Sequence, residues 1–421
     1  MSNTPIGCAF GNPDPYAPDG RYAFARTLLA LLFSTLLAVG MWAIVVILPG
    51  VQVDFGIDRA AASTPYTAVM LGFAAGTIVF GRMADRAGIN KLLVISAAML
   101  GLGFVLAGVA PNIAVFSAAH GLLIGIGAAG GFGPLIADIS HWFVRRRGLA
   151  VVIVASGNYL GGAIWPLVIN AATPLLGWRG TYVAIGMIVT AIVLPLTALM
   201  RRRPSERTLA EAHIAIASVR ANLGIEPRRL LALLTVAAFS CCVAMSMPQV
   251  HIVAYCGDLG YGVARGAEML SLMLFLGIVS RIGSGFIADH IGGTWTLLVG
   301  SLMQGMALLL YLFFNGLTSL YVVSGIFGLF QGGIVPMYAV ICRELLPPRE
   351  AGAKIGILIS ATITGMAFGG YISGVIFDVT GSYRIAFLNG LLWNAVNILI
   401  VSWLVWRRHL GTEVATGVRL G

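Results

Sequence analysis

Charge is what this sequence has least of: 10% of its 421 residues are Asp, Glu, Lys or Arg, against 58% hydrophobic. Soluble domains typically carry about a quarter charged residues, so a water-soluble globular chain is excluded. Cysteine is scarce as well. The five present, Cys8, Cys241, Cys242, Cys256 and Cys342, form no C-x-x-C pair, which excludes a zinc ribbon, a dithiol redox motif and a disulfide scaffold. There is no H-E-x-x-H, and the glycine-rich stretch from Gly125 to Gly133 lacks the G-K-[ST] ending of a phosphate loop. An enzyme is not indicated and no cofactor or metal is expected. The net charge of +10 does not point to nucleic acid, because the arginines cluster at the ends of apolar runs without a basic stripe or interleaved aromatics.

What is abundant is apolar length and glycine. Mean hydropathy is +0.93 and there are 54 glycines, the residue that lets membrane helices approach closely. About 20 apolar residues cross a bilayer as a helix, and twelve runs qualify: Leu28 to Pro49, Thr64 to Phe80, Leu92 to Ala110, Val115 to His141, Leu149 to Ile169, Tyr182 to Met200, Leu230 to His251, Ala267 to Ile287, Thr294 to Phe314, Ser319 to Cys342, Ile355 to Phe377 and Ile385 to Trp406. The predicted fold is an all-α membrane protein with two six-helix bundles, residues 28–200 and 230–406, flanked by tails at 1–27 and 407–421. The polar stretch Met1 to Gly20 reads as a tail, not as a cleavable signal peptide. The linker, 201–229, carries Leu209, Ala212, Ile216, Val219 and Leu223 at helical spacing, which predicts an amphipathic helix on the membrane surface. With both termini on one side, 21 of the 26 lysines and arginines share that side, four lie opposite (Arg59, Arg179, Arg265, Arg384) and one lies within a span. The positive-inside rule then places both termini in the cytoplasm, in an inner or plasma membrane.

The two halves resemble each other. Gly81-Arg82-Met83-Ala84-Asp85-Arg86-Ala87-Gly88 after span 2 is matched by Gly285-Phe286-Ile287-Ala288-Asp289-His290-Ile291-Gly292 after span 8, at an offset of 204 residues. The same offset relates Gly177 before span 6 to Gly381 before span 12. Parallel six-span repeats are the architecture of rocker-type secondary transporters, whose substrate site lies near mid-membrane between the halves. The repeated G-x-x-x-D-R-x-G element, followed by Lys91, resembles the loop motif of the major facilitator superfamily. That resemblance implies that Asp85, Arg86 and Asp289, with Gly81 and Gly285 as helix-packing glycines and Arg145 as a partner, latch the halves in one conformation.

A second resemblance lies in span 5. Trp142-Phe143-Val144-Arg145-Arg146-Arg147-Gly148-Leu149-Ala150, continuing to Gly157 and Gly161, is similar to the Y-F-x-K-R-R-x-L-A-x-G motif region of the monocarboxylate porter family, and Asp19-Gly20-Arg21 before span 1 to a second element of it. In that family an arginine in span 8 binds the carboxylate. Arg281 falls at the matching position. The Asp that mammalian members carry four residues earlier is Gly277 here, and their span-1 lysine is missing; bacterial oxalate/formate antiporters, a related group, add a span-11 lysine, where this chain has only Lys354 at the start of its span.

Arg281 stands out independently of any resemblance. It sits about two turns inside span 8 with no acidic residue at i±3 or i±4, and a guanidinium there costs several kcal/mol unless an anion or a wet cavity meets it. Its fork matches a carboxylate two by two. The alternative is an ion pair with Asp138 or Glu344. Asn158 and Tyr159 in span 5 and Gln331 and Tyr338 in span 10 are candidate pocket groups, with Leu274, Ile278 and Trp165 for an apolar tail; Tyr338 and His251 also fit interfacial anchors. His120 and Asp138 are the proton-coupling candidates, the first for its titration range. The expectation is a monomeric transporter of a small organic monocarboxylate, with proton symport, or else an anion antiporter or an amphipath exporter.

Overall fold

The computed structural model describes residues 19–140, 142–143, 147–202, 226–345 and 351–417. The predicted linker helix and Arg145 lie outside the described residues. Every span is helical and no strand occurs among the described residues, as a bilayer demands: with no water to bond, backbone groups must be satisfied within each segment. Eleven helical segments are long and apolar enough to cross a membrane. One, Leu149–Met200, crosses twice, because Gly177 (φ 66°, ψ 167°) reverses the chain within it. Twelve passes result. The end holding the first described residue and the last we call proximal, the opposite end distal.

The 204-residue repeat has a conformational cause. Gly56 and Gly260, Gly88 and Gly292, and Gly177 and Gly381 all have φ between 62° and 85°, a region where a Cβ is strained. These pairs turn the chain between corresponding spans in the two halves. Gly81 and Gly285 behave otherwise: a Cβ on either would meet nothing within 4 Å. Among the described residues no helix packs against either glycine in this conformation.

Span 1 begins earlier than hydropathy placed it. Its helices, Arg21–Leu37 and Val39–Phe55, carry Arg26 into the first half, where it is 2% exposed. Hydropathy stopped at the charge; Asp138 of span 4 neutralises it through a two-pronged bond, Nε to Oδ2 at 2.8 Å and Nη2 to Oδ1 at 2.9 Å. Tyr22 and the Met200 carbonyl bond the same guanidinium, and Trp142 lies 4.9 Å from it. Spans 1, 4 and 6 are thereby tied at the proximal end.

Spans 4 and 10, counterparts in the two halves, both break at a glycine pair: Gly130-Gly131 ahead of the helix Gly133–Ser140, and Gly332-Gly333 between Leu317–Gln331 and Ile334–Leu345. The outer surface presents large apolar side chains such as Leu122, Phe286, Leu392 and Leu399, the face that lipid covers.

Candidate functional site

The halves meet along spans 2 and 11 and spans 5 and 8. Towards the distal end, Arg59 at the start of span 2 reaches Asp258 of span 7 at 3.1 Å and donates from Nη1 to the Tyr383 hydroxyl at 2.9 Å. In return, Asp378 of span 11 accepts from the backbone N–H groups of Arg59 and Ala60, a carboxylate on the positive end of a helix dipole. Below this cluster, the Thr67 hydroxyl donates to the Ala367 carbonyl, and Gly370 and Gly374 admit Tyr66 and Ser63. The distal end is closed. With Asp258 half exposed, its ion pair contributes up to about 1 kcal/mol. Arg59→Gln is therefore expected to raise amide exchange at the start of span 2 and the end of span 11 by up to about fivefold, read by mass spectrometry.

Deeper, between spans 5 and 8, lies Arg281, 5% exposed. Neither predicted acid meets it. Asp138 is held by Arg26, and Glu344 by Arg408 at 3.0 Å and the Gly293 N–H at 2.9 Å. The guanidinium instead donates from Nη1 to the Ala155 carbonyl of span 5 at 2.8 Å and from Nε to the Gly332 carbonyl of span 10 at 3.3 Å. Its carbon sits 4.2 Å from the centre of the Tyr159 ring. No carbonyl or carboxylate among the described residues accepts from Nη2, and the Tyr159 hydroxyl also lies close enough to act on the guanidinium. The Gly332 carbonyl is available for a chemical reason: its helical donor would be residue 336, which is Pro336 and has no N–H. Gly277 is explained too. A Cβ there would fall 2.5 to 2.6 Å from the Tyr159 ring, so the acid found in mammalian porters has no room; the ring occupies its place.

The other predicted groups divide. Asn158, next to Tyr159, donates to the Met41 sulfur at 3.0 Å, a weak acceptor, and its carbonyl accepts from Trp42. Gln331 is fully buried and accepts from Gln249 of span 7 at 2.6 Å; Gln331 Nε2 and Gln249 Oε1 stay unbonded. Tyr338 is fully buried, and its hydroxyl is spent within the second half: it donates to Asn397 at 2.8 Å, which in turn donates to Ser301. Tyr338 is not an interfacial anchor, and neither is His251, which is fully buried and bonded to the Gly370 carbonyl. His120 bonds Tyr182 and the Phe116 carbonyl inside the first half, among Phe116, Trp178 and Tyr182. Trp165 donates to the Thr35 carbonyl of span 1, while Leu274 abuts Gly162 and Trp42 stands beside it. The backbone of Asp85, Arg86 and Asp289 ends spans 2 and 8 at the proximal side, but the Asp85 and Asp289 side chains lie outside what is described. Met41, Trp42 and Gly332 were missed from sequence; the G-G-x-x-x-P pattern of span 10 was the available signal for the last.

The chain matches the Major Facilitator Superfamily over residues 30–324 and 271–420. It belongs to that superfamily. As a facilitator it is a membrane transporter, and its similarity to other members is spread over most of its length. Monocarboxylate transporter 13 of Bos taurus is 26% identical over 390 residues, 88% of this chain and 86% of the relative. The MFS-type transporter YcxA of Bacillus subtilis is 25% identical over 78% of this chain and 82% of the relative. Among solved structures, the fold is shared with a bacterial homologue of the human lysosomal transporter Spinster, inward-facing and occupied (TM-score 0.68, 16% identity, 96% of this chain and 98% of that one). The nucleoside transporter NupG also shares it (TM-score 0.71, 11% identity, 92% and 100%).

Proposed function

We propose that this facilitator carries a small organic monocarboxylate across the inner or plasma membrane by alternating access, with Arg281 binding the carboxylate between the halves. One observation supports this above the others: a guanidinium 5% exposed at membrane depth faces no carboxylate among the described residues and donates from Nη2 to no carbonyl or carboxylate there. Burial of that charge is costly, and a substrate anion is the partner that offsets it. Kinship with a monocarboxylate transporter over 88% of the chain favours the same substrate class. Asn158, bonded only weakly through its amide, stands one helical turn from the Ala155 carbonyl and is the second substrate contact in this reading.

Alternation runs between this distally closed arrangement and one in which the proximal ends meet. Asp85, Arg86 and Asp289 then engage, and the open faces of Gly81 and Gly285 receive neighbours. With 21 of 26 cationic side chains assigned to the proximal side, that side is cytoplasmic. Proton symport is the first coupling mode. The absence of an acid at Arg281 among the described residues favours a second, anion exchange, in which only substrate neutralises the site.

Uptake of labelled lactate, pyruvate and benzoate into proteoliposomes tests the reading, with and without an inward proton gradient and with or without internal anion. Gradient-driven uptake is expected for symport and stimulation by internal anion for exchange. Absence of uptake of all three anions under every condition overturns the substrate class.

A further inference from the structure

We infer that Tyr159 is a positioning residue: its ring, seated on Gly277, holds the Arg281 guanidinium in the one orientation that leaves Nη2 for a carboxylate. The inference rests on the monocarboxylate reading and assigns the device that aims its binding group. Three contacts define the guanidinium. Two are carbonyls, Ala155 from the first half and Gly332 from the second, and the third is the Tyr159 side chain, whose ring centre lies 4.2 Å from the guanidinium carbon and whose hydroxyl also acts on the guanidinium. A ring face is a neutral surface that attracts a cation, more strongly when both are desolvated. Here it supplies negative potential at a charge with no acidic partner among the described residues. It does so without neutralising it, as an Asp would, and so leaves the charge for a ligand.

The ring is itself held. A Cβ at 277 would stand 2.5 and 2.6 Å from two of its carbons, and the next nearest atom, the Gly328 carbonyl oxygen, is 3.7 Å away. Only glycine at 277 lets the ring lie flat against span 8. Ala155 and Tyr159 are four residues apart on one helix and so share a face, so the same turn of span 5 supplies both the carbonyl and the ring. Nη2 is left as the exit direction. Tyr159 thus acts through Arg281 and not on the substrate.

The test uses the full chain in proteoliposomes with Tyr159→Leu, Tyr159→Phe, Gly277→Ala and the Gly277→Ala/Tyr159→Leu double variant. Phenylglyoxal, an arginine reagent, is applied without substrate, and its addition at Arg281 is followed by peptide mass spectrometry. Tyr159→Leu and Gly277→Ala are expected to speed that modification several-fold, and Tyr159→Phe, which keeps the ring and loses only the hydroxyl, to change it much less. In parallel, the KM for labelled lactate, pyruvate or benzoate is expected to rise roughly tenfold in Tyr159→Leu and in Gly277→Ala, with maximal rate changed much less and Tyr159→Phe restoring it. In the double variant, Gly277→Ala is expected to add nothing, because its only crowded neighbour is gone. Equal modification rates in wild type and Tyr159→Leu overturn the inference, as do additive effects in the double variant. Should modification behave as expected while uptake is indifferent to Arg281, the positioning stands and the transport reading falls.

Discussion

Arg281→Gln is expected to abolish carboxylate uptake, lowering Vmax/KM by at least two orders of magnitude, while the protein stays folded and melts at the wild-type temperature or above. Removing one partner of a buried, hydrogen-bonded charge pair costs about 2 to 5 kcal/mol, and each 1.4 kcal/mol is a factor of ten. The loss arises only when the anion is present. In the empty protein the same substitution removes a desolvated charge that has carbonyls and a ring around it but no carboxylate among the described residues, which relieves a cost. Activity and stability therefore move in opposite directions, the signature of a group retained for binding. Arg281→Lys is expected to recover little, because an ammonium cannot reach two carbonyls and still offer a planar donor to a carboxylate. Paired uptake and melting measurements on the three proteins check this; wild-type uptake by Arg281→Gln removes the site.

Arg26→Ala is expected to produce the opposite pattern: a large loss of stability, with the transport defect following from it. Arg26 and Asp138 are both largely buried, with side chains 1% and 12% exposed, and joined at 2.8 Å. Truncating the arginine strands a carboxylate in an apolar surrounding, a loss of about 3 to 5 kcal/mol. The Trp142 stacking and the Tyr22 and Met200 bonds go with it. Replacing both charges, Arg26→Met with Asp138→Leu, is expected to recover most of the loss, since a matched apolar pair carries no desolvation cost. Melting of the single and double variants in detergent checks the cycle. A double variant no more stable than Arg26→Ala shows that the carboxylate is not what the arginine satisfies.

These two arginines show how far the sequence could be read. Both are cations near or within apolar runs, and hydropathy treats them alike. Arg281 was recognisable because span 8 has no acid within a turn of it. Arg26 was excluded from span 1 because its neutralising partner lies 112 residues away, and one-dimensional windows register only neighbours along the chain. Tyr338 and Gln331 looked equivalent as polar residues in one span. Packing separates them: the hydroxyl of Tyr338 bonds Asn397 inside the second half, whereas Gln331 keeps an unbonded amide. Which face of a helix meets which neighbour depends on where span 10 breaks and how spans 7 and 12 pack on it.

Twelve passes, two related halves and the charge asymmetry were determined by sequence alone, because each follows from local chemistry: apolar length against bilayer thickness, and glycines where φ must be positive. The repeat at 204 residues is visible for the same reason, since Gly88 and Gly292 or Gly177 and Gly381 answer to backbone geometry and not to distant partners. Tertiary structure alone decided what surrounds each buried charge. It put Tyr159 against Gly277, turned an orphan carbonyl before Pro336 towards Arg281, and spent Asp138 on Arg26. Desolvation makes the worth of a charge depend on its immediate neighbours, and in a helical bundle those neighbours come from other spans.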